Sequence, residues 1–312
     1  MNSSNYVLVT PVRNEEKTIG ITIESVIRQT VLPLEWVIVS DGSTDRTDDI
    51  VRSYAAQHPF IRLLRLEKKH AASFASVVIA TESGIKALKT TDYDFLGLID
   101  SDVRFQPDYY EKLMAKFAED PQLGLAGGWV RDVVNGVFTN DRPNLREIAG
   151  ATQFFRRSCF ESLGGLLPIP EGGWDAITCV RARMNGYRTR TFPEIVMEHL
   201  KPRNASFGNP FRRKWQMGIR DYVLSSHPLF ETVKCAARIT ESPFLLGAIV
   251  RWISFFNCVI RGRDLVVPTD VARFIRAEQL SRVLPFLPLP KPSPIARTGK
   301  ETAYPAGVAD QL

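Results

Sequence analysis

Residues 96–103, "LGLIDSDV", place two carboxylates directly after an apolar run that reads as a buried strand. Asp100 and Asp102 flank Ser101, so on an extended backbone both side chains point the same way. Carboxylates are costly to desolvate unless something pairs with them. Two like-facing acids form half of an oxygen site for Mg²⁺ or Mn²⁺, a site commonly completed by substrate phosphates. A solvated turn or a helix N-cap pair would be written with the same three letters, so the surrounding sequence has to separate these readings.

Outward from this stretch the chain alternates short apolar runs with helical patterns. Strands are expected over 5–12, 35–43, 60–67, 93–100 and 123–130, with helices over 16–30, from about Thr44 (Ser43 as its N-cap), over 74–88 and over 108–120. Strands alternating with helices of this length indicate an α/β fold with a largely parallel sheet. From about residue 145 the alternation weakens. A strand leading into a short helix is expected over 146–165, a helix from about Trp174 that stops at Gly186, and further helices within 207–227 and 242–260. After about Leu284 the chain is Pro-rich and reads as a flexible tail.

Ligands of open α/β sheets sit beyond the carboxyl ends of the strands. Four segments deliver polar residues there: "PVRNEEKTI" (11–19), "VSDGSTDRT" (39–47), "LIDSDVRFQPDYY" (98–110) and "GGWD" (172–175). Asp41 precedes a helix whose N-terminus attracts anions, and its carboxylate suits a base or ribose donor, although an N-cap and tight turn would explain it too. Asp175 follows two glycines that allow close backbone approach. It is suited to general-base work on a hydroxyl, or to stabilising a helix N-terminus.

In this order the four segments resemble the inverting family 2 glycosyltransferases of GT-A fold, over about residues 5–200. The resemblance implies a GT-A, Rossmann-like, mixed but mostly parallel sheet flanked by helices, with a C-terminal helical extension. It implies a nucleoside diphosphate sugar, with uracil as the expected base, gripped by Pro11, Arg13, Glu15, Asp41, Asp100, Ser101 and Asp102. Mn²⁺ or Mg²⁺ would be held by Asp102 and Asp100, completed by His199 in "VMEHLKPR", with Asp175 as the base. The chain departs from the family pattern in three places. "GGWD" stands where a Gly-Glu-Asp is usual, which displaces Glu171. "LEKKHAASFASVVIA" lacks the usual glycine and asparagine, so Lys69 and its neighbours Lys68 and His70 are expected to meet phosphate or acceptor. The Gln-x-x-Arg-Trp motif of processive synthases is missing, which favours single addition. The expected acceptor is a glycan or a lipid-linked hydroxyl in cell-surface or exopolysaccharide synthesis.

Charge is uneven. Residues 201–312 hold 17 Lys+Arg against 8 Asp+Glu (+9), leaving −3 on the first 200 residues. A basic C-terminal third suits an anionic partner or only a solvated surface. No aromatic-basic motif supports a nucleic-acid partner. The four scattered cysteines argue against a zinc site or a disulfide scaffold, and the start "MNSSNYVLVTPV" has no leader pattern, so a cytoplasmic location is expected. The apolar stretch over 243–260 is short for a span and carries Arg251 centrally. It reads either as a helix lying on an anionic leaflet through Trp252, Phe255 and Phe256, or as a helix packed in the core or in a homo-oligomer. The expected domains are 1–220 (transferase), 221–284 (helical extension) and 285–312 (tail). Against the enzyme stand two alternatives, a catalytically idle scaffold of the same fold and a sugar nucleotidyltransferase.

Overall fold

The computed structural model describes residues 5–67, 74–134, 137–138, 143–201 and 209–285. Four strands, β1 (Tyr6–Val12), β2 (Glu35–Asp41), β3 (Ile61–Leu66) and β4 (Phe95–Ile99), run parallel in the order β3-β2-β1-β4. The apolar runs of β1, β2 and β4 are continuous because both faces are covered, whereas the edge strand β3 carries Arg62 and Arg65. Tyr6, Leu8, Trp36 and Ile38 enter one core layer, beside the helices α1 (Ile19–Ile27), α2 (Thr47–Ala55) and α4 (Tyr109–Glu119). Val7, Val9, Val37, Val39, Leu96 and Leu98 enter the other, beside α3 (Phe74–Lys86), α5 (Arg157–Leu163) and α6 (Trp174–Met184). Helix α3 lies so close to the sheet that a Cβ at Gly84 would come within 2.6 Å of Val9 and Val39.

Five more strands complete the sheet: β5 (Val103–Phe105), β6 (Leu123–Val134), β7 (Val137–Phe138), β8 (Thr152–Arg156) and β9 (Arg188–His199). Strand β8 enters antiparallel between β4 and β6, β9 runs parallel to β6, and β5 closes the edge antiparallel to β9. The sheet is therefore mixed, with its longest ladders parallel, as expected. The chain leaves β1 towards β2 on one side and returns to β4 on the other. That reversal of direction opens a crevice at the carboxyl ends of β1 and β4.

Three local expectations change. Helix α2 begins at Thr47, and Ser43 is not its cap. Asp45 instead accepts from the Thr47 N–H at 3.0 Å, while Ser43 Oγ accepts from the Asn14 N–H at 3.2 Å. Strand β9 was not anticipated, because Pro193 and four charged residues interrupt it. The sheet accommodates them through a register shift at Gly128/Trp129, where Gly128 leaves no room for a Cβ against the Ile195 carbonyl. The helices Pro228–Ala236 and Thr269–Val283, within the stretch expected only as a helical extension, were likewise not placed individually.

The chain divides into two units, 1–168 with 174–203, and 169–173 with 204–312. The second contains α7 (Pro210–Val223), α8 (Pro228–Ala236), α9 (Leu246–Ile260) and α10 (Thr269–Val283). Residue 220, the expected end of the first domain, falls inside α7. The expected tail lies outside the described residues from 286 onward. Among the described residues no helix is long and apolar enough to cross a membrane.

Candidate active site

The loops that follow β1 and β2 are locked together before any ligand is considered. Asn14 adopts a left-handed backbone (φ 53°) and its side-chain oxygen accepts from the Thr44 N–H at 2.8 Å. The Glu15 N–H donates to Thr47 Oγ1 at 2.8 Å and the Glu16 N–H to Asp45 at 3.1 Å. The turn after β4 is pinned from below, where Thr22 Oγ1 donates to the Val103 carbonyl at 2.9 Å and accepts from the Val103 N–H at 3.1 Å. Three strand ends are thus presented on a rigid floor, which is what a preformed site requires.

Between them lies a cavity of about 310 Å³ lined by Pro11, Arg13, Glu15, Asp41, Asp100, Ser101 and Asp102, with Ser76, Val77 and Ala80 of α3 on the far wall. Arg13 lies 3.7 Å from Asp41, and its Nη1 is buried with no hydrogen-bond partner among the described residues. Such an atom is positioned to donate to a ligand. Lys69, expected here, lies outside the described residues together with Lys68 and His70.

Asp100, Asp102 and His199 present ligand atoms that all lie within 4.8 Å of one another. His199 reaches the acids because β9 pairs with β5, setting Val103 opposite it. Its Nδ1 donates to the Lys201 carbonyl, which leaves Nε2 facing Asp102 at 3.5 Å. A backbone carbonyl that fixes the tautomer in this way is the usual support of a metal-binding histidine. Burial and the neighbouring Asp102 push the Asp100 carboxyl up to about 7, with Asp175 and Glu15 adding to the effect and His199 opposing it. The Asp102 carboxyl is raised as well, by burial first and then by Glu15. The site therefore carries more negative charge than its own side chains offset. Two carboxylates, one imidazole nitrogen and an uncompensated negative field fit a divalent cation.

Asp175 stands in the first turn of α6, where it accepts from the Ala176 N–H at 2.9 Å and the Gly150 N–H at 3.3 Å. The next residue, Ala151, accepts from the Asp100 N–H at 3.4 Å. The two acids are thereby joined through neighbouring backbone groups, and the charge of Asp175 is felt at Asp100. Glu171, which the sequence displaced from the base position, is ion-paired with Arg263 at 2.7 Å.

Sequence reasoning missed two groups. Asp132 on β6 stands directly opposite His199 in the ladder, 3.7 Å from Nδ1. Lys201 forms an ion pair with Glu15 at the rim. The only signal for Asp132 was an acid interrupting "WVRDVV", and nothing short of the β6–β9 pairing connects it to His199.

The chain resembles known proteins to different extents. Over 121 residues the chain is 36% identical to an uncharacterized glycosyltransferase of Escherichia coli K12, YibD; the match covers 38% of this chain and about a third (33%) of that relative's length. A mannosyltransferase from Pyrobaculum calidifontis, PcManGT, solved with GDP-Man and Mn²⁺, superposes with a TM-score of 0.55 at 18% identity over 91% of this chain and 81% of its own. S. aureus TarS 1–349, solved with UDP-GlcNAc, gives 0.51 at 15% identity over 89% and 81%. These two show the fold, a GT-A-type mixed α/β sheet flanked by helices. Residues 7–169, more than half of the chain, match the profile of glycosyl transferase family 2, and the chain belongs to that family.

Proposed function

We propose that this protein transfers a sugar from a nucleoside diphosphate sugar, a UDP-sugar first, to a hydroxyl of a glycan or lipid-linked acceptor in cell-surface glycan synthesis, with inversion at the anomeric carbon. The observation that carries the reading is the convergence of Asp100, Asp102 and His199 beside a cavity that also presents Arg13 and Asp41. Arg13 and Asp41 would take the nucleoside end, and Ser101 and Asp100 the ribose and the diphosphate. Asp102, Asp100 and His199 would hold Mn²⁺ or Mg²⁺, which when bound would supply positive charge to the departing diphosphate. Asp175 accepts the proton of the acceptor hydroxyl as its oxygen bonds to the anomeric carbon and the bond to the diphosphate breaks. Uracil is supported by the family resemblance and by the UDP-GlcNAc bound to TarS, whereas PcManGT binds GDP-Man.

Calorimetry of UDP, GDP and their common sugars, with and without Mn²⁺ or Mg²⁺, tests this reading in wild type and Asp102→Ala. Metal-dependent binding of one nucleotide, lost in the variant, supports the site and names the donor. Absence of binding by every nucleotide, with both proteins folded, would leave the idle scaffold as the better account. Asp175→Asn separates the base from the metal site: donor binding should persist while transfer falls by at least roughly 100-fold.

A further inference from the structure

Helix α9 is built inside out. Its buried side carries Gly247, Ala248, Arg251, Ser254, Phe255 and Cys258, small or polar groups apart from Phe255. Its outward side carries Leu246, Ile249, Ile253 and Ile260, which share one face at helical spacing, bordered by Trp252. Ile260 is 85% exposed, and Phe244 in the preceding turn 67%. Two charges hold this orientation. Arg251 is ion-paired to Asp221, and its Nε lies 3.0 Å from Glu231, so the residue that argued against a membrane span is anchored inside the helical unit. Rolling the helix to hide its isoleucines would tear that buried pairing apart.

The apolar surface extends beyond the helix. Trp252 Nε1 donates to Thr232 Oγ1 at 3.1 Å, which sets exposed Leu229 and Val233 of α8 alongside. Trp252 also packs against Phe256, with ring centroids 4.4 Å apart and the rings tilted by 37°. The sequence expectation needs one correction: Phe255 is fully buried and takes no part in the outer face. The flanks of the patch keep a net positive charge: exposed Arg261 follows Ile260, with Asp264 three residues on, and Glu241 is offset both by exposed Arg238 at 3.2 Å and by the buried Lys214 at 2.9 Å. An exposed apolar stripe of this extent marks an interaction surface. Pairing with a second copy would bring the same basic flanks towards each other, whereas an anionic surface complements them.

We propose that the outer face of α9, with the turn at Phe244–Leu246, seats at the boundary between headgroups and acyl chains of an anionic bilayer. Binding of this kind combines apolar insertion with attraction of the flanking arginines to lipid phosphate.

The test uses the full chain, with vesicles of phosphatidylcholine alone or mixed with phosphatidylglycerol. The protein should sediment with the anionic vesicles and be released by salt, and brominated lipid should quench its fluorescence less in Trp252→Phe. Ile253→Glu places a charge at the centre of an already exposed face, so the fold should survive, as an unchanged melting temperature would verify. Its vesicle affinity should fall by roughly tenfold or more. Arg261→Glu should lower affinity severalfold, and only on the anionic vesicles. Vesicle binding untouched by Ile253→Glu would overturn the assignment to α9. Failure to bind either vesicle would overturn it too, as would a stable dimer that Ile253→Glu dissociates, which would give this face to a second copy. Because none of these residues lines the cavity, the donor-binding measurement can fail or succeed independently of this result.

Discussion

Two clusters of acidic side chains, one in each unit, end in opposite electrostatic states. In the helical unit Asp221 and Glu231 meet Arg251 and Lys234, with Lys234 3.1 Å from both acids. Burial alone would raise the Asp221 carboxyl, but Lys234 and Arg251 outweigh it and hold the group well below the usual carboxylate range. At the strand ends Asp100 and Asp102 meet each other and His199, and burial together with that repulsion drives Asp100 up. Acids whose counter-charges belong to the same chain serve the fold. Acids whose counter-charges fall short store repulsion, which a cation arriving with a ligand would relieve.

The largest expected effect breaks the compensated cluster. Arg251→Ala leaves the buried Asp221 and Glu231 to share Lys234 alone, and denaturant unfolding should register a loss of about 3 kcal/mol. Asp100→Asn sharpens the contrast by reversing the sign. Removing one of two repelling charges should stabilise the metal-free protein by about 1 kcal/mol while Mn²⁺-dependent nucleotide binding is lost. Destabilisation in that variant would mean that the cluster is structural after all.

Acid should separate the clusters next. Asp221 titrates lower when folded than when unfolded, so its contribution is present above about pH 4 and disappears as the pH falls through the folded value. Asp100 titrates higher when folded, so the folded state takes up its proton first and gains stability as the pH drops from about 7. The advantage of Asp100→Asn over wild type, read as a difference in melting temperature, should therefore be greatest near neutral pH and shrink towards pH 4. A constant difference across that range would contradict the account.

This contrast also explains what could be read from the sequence. β1, β2 and β4 were legible because strands covered on both faces become unbroken apolar runs, and the acids that end them stand out by position alone. Asp100, Asp102 and Asp41 were found for that reason, whereas Asp175 was singled out by the two glycines before it and given its role by the family resemblance. His199 entered only through the family resemblance, since β9 hides behind Pro193 and alternating charges. Asp132 and the α3 wall of Ser76, Val77 and Ala80 come to the site through pairings between distant segments, which no local pattern records. In α9 the composition was read correctly as unfit to span a membrane. The direction of each face was not legible, because it depends on Asp221 and Glu231, which lie 30 and 20 residues away from Arg251.

The smallest expected effect concerns Lys201, whose ammonium pairs with Glu15 at the rim and whose charge lowers the Asp102 carboxyl against the larger effect of burial. It is a cation that the strand-end cluster takes from its own chain, but its side chain is 43% exposed, so solvent screens most of what it offers. Lys201→Met should change stability by less than about 1 kcal/mol. Its effect on ligands should be divided. With one positive charge gone from the rim, Mn²⁺ alone should bind severalfold tighter, because Asp102 and Glu15 keep their negative field for it. A nucleoside diphosphate offered without metal should bind more weakly, since a donor to its phosphates has been lost. If both ligands weaken together, Lys201 holds the Glu15 loop in place rather than tuning its charge, and the contrast between the two clusters would rest on Asp100 and Asp102 alone.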